Sequence, residues 1–178
     1  MQQRRFIRIR RMPPNMIIKN AYEFIEKGYA EHFTLTEWPV PEDLRFVDYK
    51  VIEYLDDLRE SFGHAIYPSQ LPAGLVRNDG SQTSRHYVGD GQLGQAVDVF
   101  PSVNTLECWL KAIENRAWFG IGVYLDTNVS RMQPQPMLHL DIDNSRSSRS
   151  LWVRDGDYIF KSTNPEKFWK KLSEAYRT

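Results

Sequence analysis

The sequence predicts a single α+β domain, built as a mostly antiparallel sheet with flanking helices. Two observations carry this. Helical-period segments and short strand-like runs do not alternate regularly, and the strand-like runs cluster late in the chain, against the doubly wound pattern of parallel sheets. A chain of 178 residues also suits one core of useful size.

The elements follow in order. Residues 1–14 form a basic arm, with Arg4, Arg5, Arg8, Arg10 and Arg11 and no acid among them; it reads as a solvated terminus or an edge strand rather than a polymer-binding arm. The domain proper spans residues 15–178. Met16 to Lys27 has a helical face of Ile17, Ala21, Phe24 and Ile25, stopped by Gly28. Residues 33–41 connect. Val47, Val51, Leu55, Leu58 and Phe62 step by helical intervals up to Gly63, predicting the clearest helix. Residues 64–68 suggest a short strand. Residues 69–95 are rich in Gly, Ser, Asn, Asp and Gln and predict a long loop of the kind that carries function.

Ala96 to Phe100 reads as a strand ended by Pro101. Ser102 is the expected N-cap of a third helix with Leu106, Leu110, Ile113 and Ala117 on its inner face. Residues 121–125 and 137–142 read as strands. Residues 151–153 and 158–160 flank Arg154-Asp155-Gly156-Asp157, a hairpin signal. Asn164-Pro165 opens a last helix with Phe168, Trp169, Leu172 and Tyr176 inward.

Composition excludes several classes. Formal net charge is zero, which gives no argument for a nucleic-acid partner. The single cysteine, Cys108, rules out an intramolecular disulfide. No apolar run is long enough to insert in a membrane, and no apolar stretch follows the basic start as in a signal peptide. The expectation is a product made in the cytoplasm.

The candidate chemistry lies with His86, Asp98 and His139. In the run from Met137 to Asp143, strand alternation puts His139, Asp141 and Asp143 on one face and Leu138, Leu140 and Ile142 on the other. An imidazole and two carboxylates are costly to bury on one face unless something binds them. Two imidazoles and one carboxylate leave a fourth position for water on a tetrahedral zinc, the pattern of a catalytic site. The competing reading is a set of hydrogen-bonded polar residues. His32 and His64 read as surface residues, and Ser84 as a turn serine rather than a nucleophile. Trp109, Trp118, Trp152 and Trp169 read as core.

Ser84-Arg85-His86-Tyr87-Val88-Gly89, followed by Gly94-Gln95-Ala96-Val97-Asp98-Val99, resembles the Ser-x-His-x-x-Gly-x-Ala-x-Asp signature of the zinc D-Ala-D-Ala metallopeptidases, which share their fold with the hedgehog signalling domain. Gly120-Ile121-Gly122-Val123-Tyr124 and Leu138-His139-Leu140-Asp141 resemble the Gly-x-Gly-x-Tyr and His-x-Asp segments of the murein endopeptidase-like branch. Phe33 to Trp38 and Leu55 to Arg59 are similar to that branch's opening. The resemblance implies a hedgehog/DD-peptidase-like fold, a Zn2+ ion on His86, Asp98 and His139, and hydrolysis of amide bonds in peptidoglycan peptides as endopeptidase or carboxypeptidase.

The sequence departs from the pattern in three places. Asp90 to Gly94 adds about five residues inside the signature. Pro136 stands where many members carry an acid; Asp141 is the expected substitute base, with Asp126 second. Ser69-Gln70-Leu71-Pro72 stands where a substrate-holding Arg is expected; Arg77 is the preferred substitute, ahead of Arg85. Without a signal peptide, an endolysin-like, phage-encoded wall hydrolase is the implied setting, acting after release or as part of a virion. The alternative is a catalytically weak structural protein of a phage tail or assembly that keeps the fold, with virion proteins as partners.

Overall fold

The structure is a computed structural model that describes residues 16–71, 74–79, 81–127 and 136–176. The basic arm lies outside them. The order is α1 (Ala21–Glu26), two 3-10 turns (Leu35–Glu37 and Pro41–Phe46), α2 (Tyr49–Phe62), β1 (Ile66–Pro68), a 3-10 turn (Gly89–Gly91) and β2 (Ala96–Pro101). Then come α3 (Thr105–Glu114), β3 (Gly120–Tyr124), β4 (Met137–Asp141), β5 (Ser150–Asp155), β6 (Asp157–Phe160) and α4 (Pro165–Tyr176).

The six strands form one sheet in the order β1-β2-β4-β3-β5-β6. Only the β3–β5 pairing is parallel. The α+β class expected from the sequence is therefore what the chain forms. Alternation decides which side of the sheet meets the core. Val97, Val99, Leu138, Leu140, Ile121, Val123, Val153 and Ile159 join the buried apolar cluster with residues of α1, α2, α3 and α4. Each such aliphatic side chain contributes about 1.5–3 kcal/mol by leaving water. The other side carries the polar residues.

Three helix expectations are corrected. The first helix starts at Ala21, not Met16, because the Asn20 side chain accepts from the Glu23 amide at 3.0 Å and caps it there. In α3 the cap is Asn104, which accepts from Glu107 N at 3.2 Å, while Ser102 N is taken by Ala65 O. Its buried face is Thr105, Cys108, Trp109 and Ala112. Leu110 is exposed, Leu106 and Ile113 flank the core, and Ala117 lies past the helix end. The large indole of Trp109 takes the inward direction that periodicity gave to the leucines, since it buries more area. In α4, Phe168 and Leu172 point inward but Trp169 is half exposed, edge-on to Trp109. The side chain of Tyr176 lies outside the described residues.

The long loop is not structureless. Arg77 and Tyr87 form a parallel bridge, with Arg77 N donating to His86 O at 2.7 Å and Val88 N to Arg77 O at 2.9 Å. The extra segment bulges outward: residues 90–93 are exposed, and Asp90 (φ 59°) and Gly91 (φ 76°) take consecutive left-handed conformations. Its far end is pinned, with Gly94 N on Phe46 O at 2.7 Å and Gln95 N on Arg85 O at 2.7 Å. The insertion thus leaves His86 and Asp98 free to meet.

Candidate metal centre

Strand register assembles the site. β2 and β4 place Asp98 opposite His139, and β3 places Gly122 on the other side of His139. β5 places Trp152 opposite Gly122, and β6 places Phe160 opposite Trp152. The row Asp98–His139–Gly122–Trp152–Phe160 therefore crosses the sheet on one face. His86 comes from the loop and completes the group.

The three side chains are buried, His86 at 2%, Asp98 at 6% and His139 at 8% exposure. His86 Nε2 lies 3.1 Å from His139 Nδ1 and 3.3 Å from Asp98 Oδ1, and His139 Nδ1 lies 2.9 Å from Asp98 Oδ1. Four ligands at zinc bond lengths stand roughly 3.3 Å apart, so this triangle is close to one face of such a tetrahedron. The His86–Asp98–His139 group can hold a metal ion.

The outer partners decide what the triangle presents. His86 Nδ1 lies 3.1 Å from Leu75 O. A carbonyl only accepts, so Nδ1 carries the proton and Nε2 turns its lone pair inward. His139 Nε2 faces Asp141 Oδ2 at 3.6 Å, and Asp141 is held by Arg146 Nη1 at 3.1 and 3.3 Å. That arrangement favours the proton on Nε2 and a lone pair on Nδ1. Two lone pairs and a carboxylate oxygen then point at one another, which is repulsive unless a cation or an extra proton lies between them. Ligand imidazoles tied from behind by a carbonyl and a carboxylate are the usual support of a bound metal.

Charges follow this geometry. Burial pushes the Asp98 carboxyl up, but the imidazoles of His86 and His139 override it and hold it well below the usual carboxylate range. Burial works against a charged His139, yet Asp141 and Asp98 push it up to about 9. Proton and metal therefore compete for the same inner positions.

The group forms part of the wall of a cavity of about 380 Å³ that also includes Arg77, Ser84, Tyr124, Thr127, Arg154 and Tyr158. Asp98 is the sole carboxylate among its described lining residues. Every Asp and Glu of the sequence falls within the described residues. Asp141 is fully buried behind the His139 ring, away from the triangle. Asp126 accepts from Gly156 N at 3.0 Å and lies 3.6 Å from Arg154 Nη2, beside the β5–β6 turn. Neither lines the cavity as a base would. Arg77 does line it, whereas Arg85 turns to Asp143. His32 pairs with Glu60 at 2.6 Å, away from the site.

Residue reasoning missed Tyr124, Arg154 and Tyr158 as site residues. Tyr124 and Arg154 are cross-strand partners, as are Arg154 and Tyr158. The Arg154 guanidinium lies 5.4 Å from the Tyr124 ring centroid and 5.7 Å from that of Tyr158. Nothing in the spacing marks them, because the β3–β5 pairing joins segments far apart in the chain. Arg146, which holds Asp141, was missed for the same kind of reason.

The two glycines of β3 have separate tasks. A Cβ at Gly120 would collide with Asp141 Oδ2, and one at Gly122 would collide with the Trp152 indole, whose ring centre lies 5.3 Å from that of His139. Gly122→Ala is expected to cost about 1–3 kcal/mol by overpacking and to weaken metal binding by displacing Trp152 against His139. Thermal melts beside a metal titration check this; an unchanged melting temperature would show that the indole moves freely.

No family model, curated protein or solved structure matches the chain. Among the described residues no helix is long and apolar enough to cross a membrane.

Proposed function

We propose that the chain is a zinc-dependent peptidase that hydrolyses amide bonds in peptidoglycan peptides. The observation that carries the reading is the triangle of His86, Asp98 and His139, with both imidazoles tied from behind and their inner nitrogens facing one carboxylate oxygen beside a cavity. Two histidines and one carboxylate suit zinc with a position left for water or substrate. When bound, zinc lowers the pKa of its water and polarises a carbonyl. The resemblance, which runs in matching order from about residue 33 to residue 160, is what suggests the substrate class.

The chain's own side chains have roles in this reading. Arg154, with Arg77 in the same lining, binds an anionic or carbonyl oxygen of the peptide. Burial and the neighbouring Tyr158 raise the Tyr124 phenol above its ordinary range, so it stays protonated and serves as a donor to an oxygen gaining charge. Asp141 orients His139.

One observation favours a second reading. No carboxylate other than the ligand Asp98 lines the described cavity, which fits a catalytically weak or structural protein, such as a phage tail or assembly component. The test is metal content by mass spectrometry, beside digestion of purified peptidoglycan with and without chelator. One zinc per chain and chelator-sensitive release of muropeptides is the expected result. Zinc without hydrolysis selects the second reading, and no zinc overturns the metal assignment.

A further inference from the structure

We propose that Arg85 and Asp143 form a clasp that sets how long a metal stays at the His86–Asp98–His139 triangle, acting as positioning residues; this rests on the metal-binding reading above. The two histidines come from different kinds of segment. His139 lies in β4, paired on both sides. His86 lies on a loop whose register is fixed by a few backbone bonds. Arg85 immediately precedes it, and its Nη2 makes an ion pair with Asp143 Oδ2.

Asp143 is buried, at 4% exposure, just past the end of β4. Arg146 Nε lies 3.5 Å from the same oxygen, and Arg146 Nη1 holds Asp141. A chain of charges therefore runs His139–Asp141–Arg146–Asp143–Arg85, and the backbone continues it into His86. Main-chain bonds run parallel to it: Gln95 N donates to Arg85 O at 2.7 Å, and Ile142 N to Gln95 O at 2.9 Å. The circuit closes through the triangle itself.

A buried ion pair is a poor source of stability, because desolvation offsets most of its attraction. What it provides is position. A single guanidinium nitrogen, Arg85 Nη2, reaches one oxygen of the buried carboxylate, which ties the position of Arg85 to Asp143, and Asp143 in turn accepts from Ser145 N at 3.0 Å. The loop residue before His86 is thus indexed to the strand that carries His139. Releasing it lets His86 swing away from the triangle without unfolding the sheet.

The test measures the rate of zinc loss from the full-length, zinc-loaded protein to a chelator, and zinc affinity by competition. The variants are Arg85→Met, Asp143→Asn, the double variant and Arg85→Lys. Each of the first two is expected to speed release and weaken affinity by about ten- to a hundredfold, the range for outer partners of metal ligands. The double variant should be no worse than Asp143→Asn, because that single already breaks the Arg85 contact and loosens Arg146 as well. Arg85→Lys keeps the charge without the planar guanidinium and should fall between. Ile52→Val, in the core of α2, controls for general loosening; it should lower the melting temperature and leave zinc release unchanged. Singles within about threefold of the parent, additive losses, or equal effects from Ile52→Val would each overturn the clasp. If Arg85→Met fails to fold, Asp143→Asn and Arg85→Lys carry the same comparison. A parent protein that takes up no zinc overturns the metal reading itself, and the clasp with it.

Discussion

His86→Ala is expected to abolish stoichiometric zinc binding and, with it, any release of muropeptides. A structural zinc is worth roughly 10–16 kcal/mol over four ligands, so one ligand accounts for about 3 kcal/mol, or on the order of a hundredfold in affinity. Two further losses add to this here. His86 Nε2 is one of three mutually close donors, so its removal opens a side of the triangle. The Leu75 carbonyl also loses its partner. Isothermal titration with zinc and metal analysis after dialysis provide the readouts. A variant that still binds one zinc tightly and clears peptidoglycan would remove His86 from the centre.

Asp141→Asn is the second large effect, and it separates two roles for one carboxylate. From the sequence Asp141 was the expected general base, which predicts zinc retained and turnover lowered by roughly a hundredfold. The structure places it behind His139, with Oδ2 3.6 Å from Nε2 and Arg146 on its other side. An orienting carboxylate predicts the reverse order of events: zinc affinity falls first, by about ten- to a hundredfold, and activity falls because the metal is lost. Excess zinc should then restore turnover. Failure of excess zinc to restore it, with affinity unchanged, would return Asp141 to the role of base. Asp126→Asn should leave affinity intact and act through Arg154, its neighbour at 3.6 Å.

The face that His139 shares with Asp141 was legible in the sequence because strand alternation fixes faces, whereas His86, on the loop, was assigned as a ligand only through the resemblance. The period of two puts His139 and Asp141 on one side of β4 and Leu138 and Leu140 on the other, and this holds in the folded chain. The α+β class was legible for a similar reason: α2 shows an uninterrupted helical period and the β5–β6 hairpin turns at Gly156 (φ 72°) in Asp-Gly. The inward face of α3 was not, since Leu106, Leu110 and Ile113 score as well as Cys108 and Trp109 until a neighbour is in place.

Sequence alone, then, determined on which face of β4 His139 and Asp141 stand, because that depends on local geometry. Tertiary structure decided what surrounds them. Long-range pairing put Gly122 beside His139, Trp152 beside Gly122, and Arg154 between Tyr124 and Tyr158. It also turned Asp141 to the back of its histidine and joined Arg85 to Asp143. Contacts of that kind are set by how β4, β3 and the loop before β2 come together, and no spacing along the chain encodes the distance between them.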